Sequence, residues 1–198
     1  MSNEVFLVKG NAKLSGEITP QGAKNEALQI ISAVLLTKEK VTVSNIPDIL
    51  DVRRLIALLK GLGVAVKRIN KNKYSFQAKD INLKYFSSKE YLAEAKKIRG
   101  SVMLMGPLLT RFGRAYLPKP GGDKIGRRRL DTHFHGFIAL GAKFKYKEKN
   151  DEFFLEGKAL KGCYLHMEEI SVTGTANVVM AAVLAKGTTT VYLSLIHI

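Results

Sequence analysis

Apolar residues at Ala27, Ile30, Ile31, Val34 and Leu35 return every three or four positions, which predicts a helix with one broad buried face from about residue 24. A β-branched run, Val41-Thr42-Val43, follows at once and predicts a strand. The same succession comes twice more: a basic or polar start, an apolar helix, a Gly or Lys turn, then a strand. It is written as RGSVMLMGPLLTRFGRAYLP from Arg99 and as TGTANVVMAAVLAKGTTTVY from Thr173, where Thr189-Thr190-Val191 is the strand. A second element recurs between them. DVRRLIALLKGLGVAVKRI from Asp51 and LDTHFHGFIALGAKFKYKE from Leu130 each predict an amphipathic helix closed by a glycine, Gly63 or Gly141, and followed by a Lys-bearing strand.

The helices that start at 24, 99 and 173 define a period near 75 residues, long enough for one α/β unit that leans on its neighbours to bury its sheet. By this count the third unit is incomplete, having no partner for the second helix-Gly-strand element. The closing LSLIHI follows Tyr192 without a polar turn or cap. The expectation is a truncated third unit, with residues 193–198 as a short non-native tail.

At 198 residues and 46% hydrophobic, the chain can bury a core in one domain or two small ones. No apolar run reaches the roughly 18 residues of a membrane span. The N-terminus MSNEVFLVKGNAKL lacks the apolar region of a signal peptide, so a cytoplasmic protein is expected. The single cysteine, Cys163, allows no internal disulfide and reads in KGCYLHM as a strand residue with a buried structural thiol rather than a nucleophile. The formal charge of +15, from 32 Lys and Arg against 17 Asp and Glu, favours anionic partners, from nucleic acid to phosphorylated metabolites. Many of those cations stand at turns and strand ends, and there is no zinc-finger spacing, RNP-like aromatic motif or Arg-rich tail. Charge alone leaves both kinds of partner open.

Candidate chemistry gathers in Leu117–His133, LPKPGGDKIGRRRLDTH. A Pro-Gly-Gly hinge carries Asp123, then Lys124 and Arg127–Arg129, then Asp131. Two readings stand: a solvated basic turn, or a loop that presents an acid to a ligand whose negative charge the cations hold. Asp51 and Asp131 stand at helix starts, where a carboxylate can cap free N–H groups and suits the dipole. Capping is therefore an alternative to any ligand role for Asp131. His133 and His135 have HxH spacing, but residues two apart on a helix face different ways. Shared metal ligation is not expected; His133 reads as a pocket-side residue and His135 as helix surface.

With GNAKLSGEITPQGAKNEAL, the PGG loop, IGRRRLDTH and ISVTGTAN in this order, residues 5–192 resemble the amino-terminal half of the bacterial UDP-N-acetylglucosamine 1-carboxyvinyltransferases, a branch of the enolpyruvyl transferase family. The resemblance implies an α/β fold of repeated βαβαββ-type units, an inside-out α/β barrel, of which this chain holds most of one of two domains. Residues 1–21 would be opening strands packed on the absent domain, and residues 22–192 the first domain, truncated in its third unit. The shikimate-pathway enolpyruvyl transferases share the fold but do not usually carry the PGGxxIGxRxxDxH run. The implied reaction joins the sugar 3′-hydroxyl to C2 of phosphoenolpyruvate and releases phosphate; no cofactor is implied.

Site residues carry over by matching motif. Lys24 and Asn25 match the family's Lys-Asn pair, Lys24 binding phosphoenolpyruvate and stabilising charge while Asn25 contacts substrate. Arg99 matches an arginine that contacts both substrates, for which a planar fork suits phosphate and carboxylate. Arg128 matches the loop arginine, and Arg129, Leu130, Asp131 and Thr132 the uridine-binding run, with Asp131 accepting from the uracil N–H. Arg129 stands where some members have proline, which frees its side chain for the diphosphate. Ser171 and Val172 match diphosphate contacts, with Glu169 and Ile170 adjoining. Glu169 stands where some members have lysine, so only its backbone suits phosphate. Asp123 replaces the cysteine that many members use as proton donor and that fosfomycin alkylates. The resemblance therefore implies general-acid catalysis by a carboxyl group and resistance to fosfomycin.

Overall fold

The computed structural model describes residues 5–121 and 129–193. The first unit runs α1 (Lys24–Ala33), β1 (Lys40–Val43), α2 (Leu50–Gly61), β2 (Ala65–Asn70) and β3 (Lys73–Gln77). A short α3 (Lys89–Ala95) leads into the second unit: α4 (Met105–Phe112), β4 (Arg114–Pro118), α5 (Asp131–Ala139), β5 (Lys143–Lys147) and β6 (Glu152–Glu156). The third holds β7 (Tyr164–His166), α6 (Val172–Ala182) and β8 (Thr190–Tyr192). In the first two units the last hairpin strand is central, giving antiparallel sheets ordered β1-β3-β2 and β4-β6-β5; β7 and β8 pair in parallel with α6 as their crossover.

Helices occupy the middle and sheets the outside, the inside-out arrangement that the resemblance implied. α6 lies against both α4 and α5, and α1 packs on α2. Glycines permit the approach of α6 to both α4 and α5. A Cβ on Gly106 of α4 would lie 2.4 Å from the Asn177 carbonyl oxygen, and one on Gly136 of α5 would lie 2.2 Å from a Val178 methyl. Of the predicted apolar stripe, Ala27, Ile31, Val34 and Leu35 are buried at 8% exposure or less, but Ile30 is 46% exposed, so the buried face is narrower than expected. In α2 and just after it Leu55, Leu58, Leu59 and Leu62 are all 0% exposed. Gly63 and Gly141 have φ of +91° and +97°, as expected of glycines that end a helix. The units are stitched by polar contacts too. From α4, Arg111 donates to the carbonyls of Leu35, Thr37 and Ala78 at 2.6, 2.9 and 2.6 Å, satisfying three acceptors of the first unit with one planar fork.

The structure corrects several expectations. The segment from Arg99 is not one helix: Arg99–Leu104 winds as 3₁₀ turns and α4 begins at Met105. Pro107 has no N–H to give the Met103 carbonyl and its ring crowds that position, so an α-helix cannot run through. Neither Asp51 nor Asp131 caps its helix; the cap positions are Ile49 and Leu130, without side-chain hydrogen bonds. Cys163 lies one residue ahead of β7, half-buried, and joins the ladder only through its carbonyl, which accepts from Thr190 N–H at 3.0 Å. Residues 5–23 form neither helix nor strand, and Val5, Phe6, Leu7, Val8, Leu14 and Ile18 are 85% to 99% exposed. Of the expected tail, only Leu193 falls within the described residues.

Candidate active site

The three recurring starts meet. Lys24 and Asn25 at the head of α1, Arg99 and Gly100 at the head of the second unit's first helical segment, and Thr173 at the head of α6 line one cavity of about 80 Å3, together with Asp51 from α2. Helix starts bring unpaired N–H groups and positive dipole ends, so three of them around one space, with Lys24 and Arg99, favour an anion. Lys24 Nζ lies 3.1 Å from Asp51, and both side chains keep substantial solvent exposure. Such a half-exposed pair is worth little to stability and can open for a ligand. Asp51, read from the sequence as a cap alone, thus belongs to the cavity through a contact between residues 27 apart.

A second cluster adjoins the first. Arg99 donates to the Arg129 carbonyl at 3.1 Å, and the Arg129 side chain pairs with Asp131. That carboxylate raises the already high pKa of Arg129 further, first through the hydrogen bond and then through its charge. Thr132 is buried and donates its hydroxyl to Glu169 at 3.0 Å. The Glu169 side chain, expected to contribute only backbone, therefore ties the first turn of α5 to the segment before α6. Ser171 caps α6, its hydroxyl accepting from Gly174 N–H at 3.1 Å, while Ile170 and Val172 stand exposed beside it. Leu130 is buried. Asp131 also borders a groove of about 280 Å3 walled by Phe134, Phe144, Tyr146 and Phe153. The structure thus joins Lys24, Asn25 and Arg99 in one cavity, and Arg129, Asp131, Thr132 and Glu169 in a neighbouring cluster. Arg99 bridges the two.

Asp123 and Arg128 lie outside the described residues. Both flanks of their segment are anchored near Arg99, however. Gly121 N–H donates to the Lys96 carbonyl at 2.9 Å, three residues before Arg99, and on the far side Arg129 accepts from Arg99 itself.

The two histidines face apart. His135 is half-exposed at 2.7 Å from Glu168, whereas His133 is 2% exposed and sits against Asn177 and Thr173. Burial, and secondarily the Arg99 charge, lower the His133 pKa to about 4 from an ordinary 6.5. Between those values the unfolded chain binds the proton and the folded one does not, so acid favours unfolding as pH falls through 6.5 and the effect levels off below 4. Going from pH 7 to pH 5 should cost about 2 kcal/mol through this residue. Urea midpoints at the two pH values check this: the acid loss of the parent chain should shrink by that amount in His133→Leu.

Helices inside, sheets outside and a cationic cavity at converging helix starts define an enolpyruvyl transferase fold. The enolpyruvyl transferase NikO from Streptomyces tendae superposes with a TM-score of 0.74 at 17% identity, over 92% of this chain and 42% of that one. EPSP synthase from Acinetobacter baumannii gives 0.69 at 16% identity over 92% and 41%. The chain belongs to the EPSP synthase (3-phosphoshikimate 1-carboxyvinyltransferase) family, matched over residues 8–197. Among its relatives are proteins named UDP-N-acetylglucosamine 1-carboxyvinyltransferase. Those of Bacteroides thetaiotaomicron and Porphyromonas gingivalis are 57% and 56% identical over 187 residues, 94% of this chain and 43% of theirs. The one of Treponema pallidum is 41% identical over 187 residues. The chain spans under half the length of these relatives.

Proposed function

We propose that the chain is the amino-terminal part of a UDP-N-acetylglucosamine 1-carboxyvinyltransferase, which moves the enolpyruvyl group of phosphoenolpyruvate onto the sugar 3′-hydroxyl in the first committed step of peptidoglycan synthesis. The observation that carries this reading is the convergence of Lys24 and Asn25, Arg99, and Thr173, from the starts of the three repeats, on a single cavity. Relatives at 57% identity bearing that name support the choice of acceptor.

In the proposed reaction the 3′-oxygen attacks C2 of phosphoenolpyruvate while C3 takes a proton from Asp123 and the hydroxyl gives up its own to a base of the carboxy-terminal domain. The tetrahedral intermediate then loses phosphate and the C3 proton, which leaves the enol ether. Lys24, Arg99 and Arg128 hold phosphate and carboxylate charge, and Asn25 orients the substrate. Asp131 accepts from the uracil N–H at the mouth of its aromatic groove, and Arg129 with the Ser171–Val172 backbone serves the diphosphate. In the free protein Arg129 and Asp131 occupy each other, so uridine binding exchanges that exposed pair for contacts to base and diphosphate. The carboxy-terminal domain of the same protein completes the site, so the 198 residues alone are inactive. The enzyme is cytoplasmic, serves cell-wall growth, shape and division, and resists fosfomycin; its ligands are small anions, not nucleic acid or membrane.

Acceptor choice tests the reading. The full-length protein should use UDP-N-acetylglucosamine and ignore 3-phosphoshikimate. Turnover of 3-phosphoshikimate would move it to the other branch. Equal, steeply salt-dependent binding of any polyanion, without turnover, would mark a basic nucleic-acid-binding protein instead.

A further inference from the structure

The buried polar network under the cavity sets the direction of one hydroxyl. Its anchor is the Gly106 backbone N–H, which can only donate. It lies 2.8 Å from Asn177 Oδ1, so that atom is the acceptor and the amide cannot be turned over. The other end agrees, because Asn177 Nδ2 lies 2.8 Å from the Val102 carbonyl, which can only accept. The second hydrogen of Nδ2 then falls on His133 Nδ1, 3.0 Å away. A ring nitrogen that accepts carries no proton, so neutral His133 bears its one hydrogen on Nε2. That nitrogen lies 3.4 Å from Thr173 Oγ1. Thr173 accepts from the imidazole and keeps its own hydrogen to give away, and its side chain lines the cavity that also holds Lys24 and Arg99.

We propose that Thr173 is a further substrate-binding residue: its hydroxyl, held as a donor by the positioning residues His133 and Asn177, binds an anionic oxygen of a phosphate or carboxylate in the Lys24–Arg99 cavity. This rests on the reading of that cavity as the substrate site. Burial and the nearby Arg99 both oppose protonation of His133, and these are the conditions under which Nδ1 stays an acceptor. The arrangement has a structural cost that supports its purpose. α4 and α6 approach closely enough for the Gly106–Asn177 bond only because residue 106 has no Cβ, which would lie 2.6 Å from Asn177 Oδ1. An amide, an imidazole and a hydroxyl are thereby aligned from the packed centre to the cavity wall.

Two measurements on the full-length protein decide the matter. The first is the long-range 1H–15N spectrum of its histidines at neutral pH, with His133 assigned by its loss in His133→Leu. A neutral ring protonated at Nε2 is expected; a proton on Nδ1 overturns the arrangement. The second is steady-state kinetics of Thr173→Val, which removes the hydroxyl at nearly constant shape, beside Thr173→Ser, which restores it. Thr173→Val should raise one KM about 10- to 100-fold, the range for a lost hydrogen bond to a charged group, with the melting temperature unchanged. A change in the phosphoenolpyruvate KM identifies its phosphate or carboxylate as the partner, and a change in the UDP-N-acetylglucosamine KM identifies the diphosphate. Thr173→Ser should recover most of the loss. Both KM values unchanged in Thr173→Val, in an enzyme that turns over, would sink the binding role. A well-folded wild type with no turnover overturns instead the enzymatic reading on which the ligand rests, and the spectrum still judges the network by itself.

Discussion

Asp123→Asn should lower the rate of phosphate release by about 10²- to 10⁴-fold, the usual contribution of a positioned general acid. The substitution keeps size and hydrogen-bonding capacity and removes only the transferable proton, so substrate binding should change far less than turnover. An aspartic acid ordinarily ionises near pH 3.9 and must be raised to hold a proton at working pH. Lys124 and the three following arginines oppose that rise, while exclusion of water and arriving phosphate groups favour it. The same carboxyl group has no thiolate for an epoxide to alkylate, so fosfomycin should leave the parent active after long incubation. Full activity in Asp123→Asn, or irreversible inactivation by fosfomycin at Asp123, would remove the residue from its assigned place.

Lys24→Met should lower kcat/KM for phosphoenolpyruvate by about 10²- to 10³-fold, as for other groups that meet charge developing in a transition state. Stability should be almost untouched, because the Lys24–Asp51 pair is half-exposed and such pairs are worth little in water. The separation of the two effects is the test. Comparable melting temperatures with collapsed turnover fit a ligand-binding lysine, whereas a destabilised protein with normal kcat/KM would make the Asp51 contact merely structural.

Much of this architecture was legible in the chain because local periodicity and tertiary burial agree. The stripe through Ala27, Ile31 and Leu35 forms a helix and is also what the core buries. Gly63 and Gly141 end their helices for a reason local to the backbone. What stayed hidden depends on partners distant in sequence. β3 and β6 are the central strands of their sheets, yet nothing within them records that two strands will flank them. The signals present were the turns, Lys71-Asn72 and the left-handed Asp151, which close each hairpin. The 3₁₀ winding before Met105 was available from Pro107 alone.

The candidate site divides the same way. Residues that carry motifs, such as Lys24, Asn25, Arg99 and Asp131, could be named from the sequence, but their convergence required the packing of three units. Asn177 shows the limit most clearly: in TGTANVVM it reads as one polar residue on an apolar helix, and only its contacts with Gly106, Val102 and His133, 71, 75 and 44 residues away, reveal what it orients.

The most direct test of the whole account is phosphate release from phosphoenolpyruvate by the full-length protein, with and without UDP-N-acetylglucosamine. The account predicts release that requires the nucleotide sugar and continues until the limiting substrate is spent. A complete, well-folded protein that releases no phosphate in the presence of both substrates would contradict it, leaving a fold that binds nucleotide without catalysis.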